Sequence, residues 1–202
     1  MEYIELSLKN VKEESKKLYS DIKKKNFEYD LVIFIAKGSF PIGKELALLN
    51  NVPLLEIKAT RKGGSFKKII KPFFKLIPKK TLIKLRAKEM NSDYHEVNSD
   101  RYIEFNKTIY NKYSSRKNIL LVDDSIDSGY SIIETKKALQ EYFINANIKT
   151  AVFNYMSKAI IIPDFNIYKD TMICGPWSSD SKENKLFLKL YEDWKGDYGR
   201  KN

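Results

Sequence analysis

Ten residues, Val122-Asp-Asp-Ser-Ile-Asp-Ser-Gly-Tyr-Ser131, hold the densest chemistry in the chain. Their second part, Asp127 to Ser131, offers consecutive backbone N–H groups and two hydroxyls where a helix begins. Gly129 permits a positive φ and close backbone approach, and a helix N-terminus favours an anion. Their first part sets Asp123 and Asp124 side by side. Carboxylates do not grip phosphate; they suit hydroxyls, a positive charge or a hydrated metal ion. A phosphorylated sugar with vicinal hydroxyls satisfies both parts together.

The surrounding pattern supplies a frame for this loop. Asn118–Val122 reads as a buried strand, Asp123–Ser131 as a polar loop, and Ile132–Phe143 as a helix whose apolar face carries Ile132, Ile133, Leu139 and Phe143. Upstream, Tyr3–Leu6 reads as a short edge strand and Ser7 as the N-cap of a helix. Val11, Leu18, Tyr19 and Ile22 repeat along that helix at three- and four-residue spacing until Lys25-Asn26. Leu31–Ala36 is a continuous apolar run of the kind buried on both faces of a parallel sheet. After the turn Lys37-Gly-Ser-Phe40, Pro41 opens a helix carrying Ile42, Leu46 and Leu49, and Val52–Ala59 is the next strand. Thr150–Tyr155 and Met172-Ile173 add further strands, and Asn184–Trp194 a terminal helix. Strands alternating with helices predict an α/β fold, one domain over 1–202, with a central parallel sheet flanked by helices. Ligands of such sheets sit beyond the carboxyl ends of the strands, where Asp123–Ser131 lies.

Composition narrows the classes. The 202 residues are 43% hydrophobic and 31% charged, as in globular domains. The longest apolar runs fall far short of the roughly 20 residues that a membrane span needs. The start of the chain carries no signal-peptide pattern, so a cytoplasmic protein is expected. One cysteine, Cys174, and one histidine, His95, cannot form an internal disulfide or a zinc site. Cys174 reads as a small buried hydrophobe and His95 as a surface residue. The net charge of +11 is local: residues 57–88 hold twelve Lys or Arg and no acid, leaving 25 bases against 26 acids elsewhere. Phe66, Ile69, Ile70, Phe73 and Ile77 recur among those bases, broken by Pro72 and Pro78. Residues 61–100 thus read as a basic amphipathic insertion between two strands.

The run 122–131 resembles the phosphoribosyl pyrophosphate (PRPP) motif of type I phosphoribosyltransferases: a strand, two acids, three residues, Thr or Ser, then Gly. The resemblance is nearest in character to the purine enzymes that take xanthine, guanine or hypoxanthine. It implies that fold, with a small hood, and transfer of 5-phosphoribosyl from PRPP to a nitrogen acceptor with release of pyrophosphate. Asp123 and Asp124 would then hold the ribose hydroxyls. Ser128, Gly129, Tyr130 and Ser131 would cradle the 5′-phosphate, and Asp127 would manage the proton on the acceptor. Asp30 through Ser39 and Pro41 is similar to the family's first strand and pyrophosphate loop. There Lys37-Gly38 would be the peptide that meets pyrophosphate, often through a cis bond, and Arg61 could add positive charge. Ser39 stands where many relatives carry a second glycine, and fits if its φ is negative. Pro163-Asp-Phe165 and Asp170–Trp177 resemble the late hood segment, so Met172, Ile173 and Trp177 fall in the acceptor pocket. The resemblance further implies Mg2+ bound mainly through PRPP or pyrophosphate, no protein metal cage, and a homodimer.

Two departures leave the acceptor open. Purine-type members carry a base-reading lysine just after the fourth strand, where this chain has Phe153-Asn-Tyr-Met156; Lys158, a few residues late, would join the acceptor pocket through a short loop shift. The acid that commonly follows the Pro-Trp pair is replaced by Ser178. Transfer to a non-purine acceptor, or a PRPP- or nucleotide-sensing regulator without catalysis, therefore stand beside the purine reading. The insertion suits a lid that excludes water. Contact of residues 57–88 with nucleic acid, a partner or an anionic membrane is the less favoured reading.

Overall fold

Alternation within the central strands decides the architecture. In β2 (Leu31–Ile35), Val32 and Phe34 point into one apolar cluster and Leu31, Ile33 and Ile35 into another; all five are buried. In β5 (Asn118–Ile126), Leu120 and Val122 join the first cluster and Ile119 and Leu121 the second. A sheet with two apolar faces must be covered on both. The computed structural model, which describes residues 2–61 and 101–201, shows how. Helices α1 (Leu8–Lys24), α2 (Phe40–Asn50) and the C-terminal helix α5 (Asn184–Lys201) cover the first face. Helices α3 (Lys107–Asn111) and α4 (Tyr130–Tyr142) cover the second.

The six-stranded sheet has the order β4-β3-β2-β5-β6-β7, with β3 at Leu54–Arg61, β4 at Arg101–Glu104, β6 at Asn147–Tyr155 and β7 at Phe165–Lys169. Every pairing is parallel except β3 with β4. The expected α/β fold with a central, mostly parallel sheet is thus present. A second, two-stranded sheet pairs β1 (Glu2–Glu5) in parallel with β8 (Thr171–Cys174), setting Tyr3 against Met172 and Ile4 against Ile173.

Local signals explain the element ends. The Ser7 hydroxyl accepts the Asn10 N–H, and the Asn10 side chain accepts the Ser7 N–H, both at 3.1 Å, closing a capping box on α1. Pro41 lies in the first turn of α2, and Asn51 ends it in the left-handed conformation at φ 51°. Asp30 accepts the N–H groups of Lys117 and Asn118, tying the start of β2 to that of β5. The basic stretch of the insertion, from residue 62 onward, lies outside the described residues.

Candidate active site

Strand β5 does not stop at Val122. It continues through Asp123 and Asp124 to Ile126, pairing Ser125 with Asn154 and Ile126 with Tyr155 on β6. The expectation of a polar loop over Asp123–Ser131 is therefore corrected: the acids end a strand, the loop is Asp127–Gly129, and Tyr130 and Ser131 already belong to α4. The polar extension is held by side chains as well as by the ladder. The Asn154 amide donates to Ser125 Oγ at 3.3 Å and its oxygen accepts the Thr171 N–H at 3.1 Å, joining the strand end to the hood. Met156 N–H donates to the Ile126 carbonyl at 2.9 Å, and Ile160 N–H to the Ser128 carbonyl at 3.0 Å.

Gly129 caps α4 at φ +98°, a conformation that favours glycine. A Cβ there would lie 2.7 Å from Ile161 Cγ2. Around it is a cleft of about 70 Å³ lined by Asp123, Ser125, Asp127, Ser128, Ser131 and a residue that sequence reasoning missed, Arg101. Arg101 Nε donates to Ser131 Oγ at 3.2 Å from the far edge of the sheet. Positive charge thus meets the N-terminus of α4, where the first N–H groups of a helix lack carbonyl partners. Only the antiparallel return of β4 beside β3 carries Arg101 there, and no local motif announces it. Asp127 accepts from Ser125 Oγ at 3.5 Å.

The acid pair links this cleft to the second turn. Asp123 is buried beside Asp124, and burial, reinforced by the Asp124 charge, raises its carboxyl well above the usual range. Burial likewise pushes Asp124 up to about 6, opposed by hydrogen bonds with Asp123 and from the Trp177 side chain. Asp124 reaches the 36–39 turn: a Cβ on Gly38 would stand 2.7 Å from its Oδ1. Glycine is required there because a carboxylate occupies the space of a side chain. Two carboxyls held this way at neutral pH favour a ligand that donates hydroxyls or brings a cation.

In the 36–39 turn the cis peptide is Ala36–Lys37, one bond earlier than the Lys37-Gly38 peptide of the expectation. Ser39 has the negative φ that its fit was expected to need, −78°, and its hydroxyl donates to the Ile35 carbonyl at 2.5 Å. The Lys37 ammonium lies 5.4 Å from the centroid of Tyr191 on α5. Tyr191 in turn donates to Glu56 on β3, and Lys195 pairs with Glu56 at 3.7 Å. Arg61 closes β3 in register with Arg101.

Of the expected acceptor residues, Met172 is buried and Ile173 half-buried in the hood strand. Trp177 packs over Gly175, and its side chain hydrogen-bonds to Asp124, so it reaches the acid pair from the hood. Lys158 is exposed after β6. The Ser157–Lys158 turn is fixed by Asp170, which accepts the Ser157 N–H at 2.7 Å and the Ser157 hydroxyl. For Mg2+, the available donors are hard carboxylate oxygens. Among the described residues no three His, Cys, Asp or Glu gather into a metal cluster. Such a donor set fits an ion that keeps most of its ligands from phosphates and water.

No family model matches the sequence, and no curated protein does. Solved structures do. Helicobacter pylori xanthine-guanine-hypoxanthine phosphoribosyltransferase aligns at a TM-score of 0.62 with 18% identity, over 91% of this chain and 97% of that one. A hypothetical protein from Neisseria gonorrhoeae with bound ppGpp aligns at 0.61 with 19% identity, over 95% and 97%. A purine phosphoribosyltransferase from Pyrococcus horikoshii OT3 aligns at 0.57 with 15% identity, over 88% and 95%. Sequence identity this low carries the architecture alone, and that architecture is the type I phosphoribosyltransferase fold.

Proposed function

We propose that this protein is a phosphoribosyltransferase that moves 5-phosphoribosyl from PRPP to a nitrogen of a purine-like acceptor. The observation that carries the reading is the contact of Asp124 with Gly38, which joins the acid-bearing end of β5 to the 36–39 turn. One ligand with hydroxyls, a 5′-phosphate and a pyrophosphate would span both. Asp123 and Asp124 accept from the ribose hydroxyls. Ser128, Gly129 and the first N–H groups of α4 hold the 5′-phosphate, with Arg101 supplying the positive charge. Lys37-Gly38 and Arg61 receive pyrophosphate. Mg2+ would be held by PRPP, waters and at most the acid pair, and supplies charge neutralisation on the leaving group.

In the reaction the acceptor nitrogen attacks the anomeric carbon. The new C–N bond forms as the C–O bond to pyrophosphate breaks, and pyrophosphate leaves with the electron pair. Asp127, in the cleft, takes the proton released by the nitrogen. Most of the acceleration comes from holding the two reactants in line and from charge stabilisation of the leaving group. The acceptor sits under the hood between Ile173 and Trp177.

Calorimetric titration with Mg–PRPP, followed by pyrophosphate release with purine, pyrimidine and other amine acceptors, tests the proposal. Saturable binding and release that depends on a purine are expected, with Arg101→Gln weakening PRPP binding at least about ten-fold. PRPP binding without release from any acceptor would favour a second reading, a nucleotide sensor, which the exposed Lys158 and the ppGpp-bound Neisseria structure both support. No PRPP binding would leave the fold without this chemistry.

A further inference from the structure

On the sheet face away from α3 and α4, helices α1, α2 and α5 leave a groove of about 350 Å³, within the size range of ligand sites. Its floor is Val11, Phe40, Pro41 and Phe187, all buried, and its walls include Leu8 and Leu190. Apolar surface continues past both lips. Leu186, one turn before Leu190 on α5, is 51% exposed, and Leu48, one turn beyond Lys44 on α2, is 64% exposed. Large aliphatic side chains grouped around one concavity mark an interaction surface. The rim is basic. Lys9, Lys12 and Lys44 line the groove with Glu45, and Lys182 just before α5 and Lys185 and Lys189 on it are exposed. Glu183, between them, is engaged: it accepts the Leu8 N–H at 2.5 Å.

We infer that this groove docks an acidic amphipathic helix of a partner protein. Charge selects the occupant. A second copy meeting the groove by a two-fold axis would set these lysines against themselves. The chain's own 57–88 stretch, with twelve bases and no acid, is repelled in the same way. A flat anionic bilayer would satisfy the lysines and leave the concave floor unfilled. A helix with Leu or Phe at i, i+4 and i+7 and acids along its flanks satisfies both surfaces. Phe40 and Pro41 follow the 36–39 turn, but none of the residues assigned to PRPP lines the groove, so the inference stands whether or not PRPP binds.

The test is fluorescence anisotropy of the full chain with a labelled amphipathic peptide of about 18 residues, five helical turns, made of Leu and Glu. Saturable binding is expected, weakened about ten-fold or more by Lys9→Glu/Lys12→Glu/Lys44→Glu and by Leu190→Ser, each a loss of about 1.4 kcal/mol or more. Lys107→Glu/Lys112→Glu/Lys137→Glu, which makes the same charge change at the two ends of α3 and on α4, should leave affinity within about two-fold, and a peptide with Ser for Leu should not bind. Equal weakening by both triple variants, or binding of the Ser peptide, would reduce the effect to diffuse attraction and overturn the inference. So would groove-dependent binding to phosphatidylglycerol vesicles tighter than to the peptide, or self-association abolished by Leu190→Ser.

Discussion

Asp124→Asn should make the unliganded protein more stable and unable to hold PRPP. The folded protein keeps the Asp124 carboxyl up to about 6 against an ordinary value of 3.8. At about 1.36 kcal/mol per unit, ionising this carboxylate costs the native state up to about 3 kcal/mol. The sign follows from linkage. The folded state binds the proton more tightly than the unfolded state, so stability is full below pH about 4 and is lost as pH rises through about 6. Asparagine never ionises, yet keeps an oxygen for the Trp177 side chain and gains a donor toward Asp123. The variant should therefore gain up to about 3 kcal/mol at pH 8 and about half of that at pH 5. In a chain of this size 1 kcal/mol moves Tm by about 2–4 °C. Thermal denaturation followed by circular dichroism, without ligand, at both pH values is the assay. A destabilised variant, or a gain of equal size at both pH values, would refute the account of the acid pair as a site built at a cost in stability. Calorimetry with Mg–PRPP on the same variant supplies the functional half, an expected loss of binding.

Asp127→Asn should lower turnover while sparing PRPP affinity; lost affinity with unchanged turnover per bound ligand would remove the proton role. Gly129→Ala should cost about 1–3 kcal/mol through its positive φ and weaken PRPP binding, and Ile161→Ala in the same chain should not restore it; Tm and calorimetry read both. Gly38→Ala should destabilise by forcing a methyl against Asp124, and Asp124→Ala should restore Tm in the double variant while PRPP binding stays absent. Trp177→Phe deletes a donor to Asp124, so the carboxyl should titrate above about 6 in NMR spectra, and an unshifted titration would show that the hood does not touch the acid pair.

Much of this was legible in the sequence because it rests on local rules. The run Leu31–Ile35, the cap at Ser7, Pro41 in the first turn of α2 and glycine at 129 each follow from side chains and near neighbours. What escaped depends on partners far along the chain. Residues 123–126 look like a loop because they are polar, and become strand because β6 extends beside them and Asn154 satisfies them. Arg101 enters the cleft only through the pairing of β4 with β3. Strand β7, Phe165-Asn-Ile-Tyr-Lys169, is too mixed to show a period. Trp177 is expected in the acceptor pocket, but its hydrogen bond to Asp124 depends on how the turn after β8 meets the end of β5.

The hood also sets an order of assembly. Strand β1 ends at Glu5 and its partner β8 begins at Thr171, so the start of the chain waits for most of it to be made. At 5–20 residues per second the delay is roughly 10–30 s, during which residues 2–5 have no ladder to join. The loop closed by this pairing is among the longest the chain can form, and its entropy is recovered last. The hood therefore closes late in synthesis, with only the last stretch of the chain, including α5, still to be made. A nascent chain cut before residue 171 lacks both the cover over the acid pair and helix α5 on the first face.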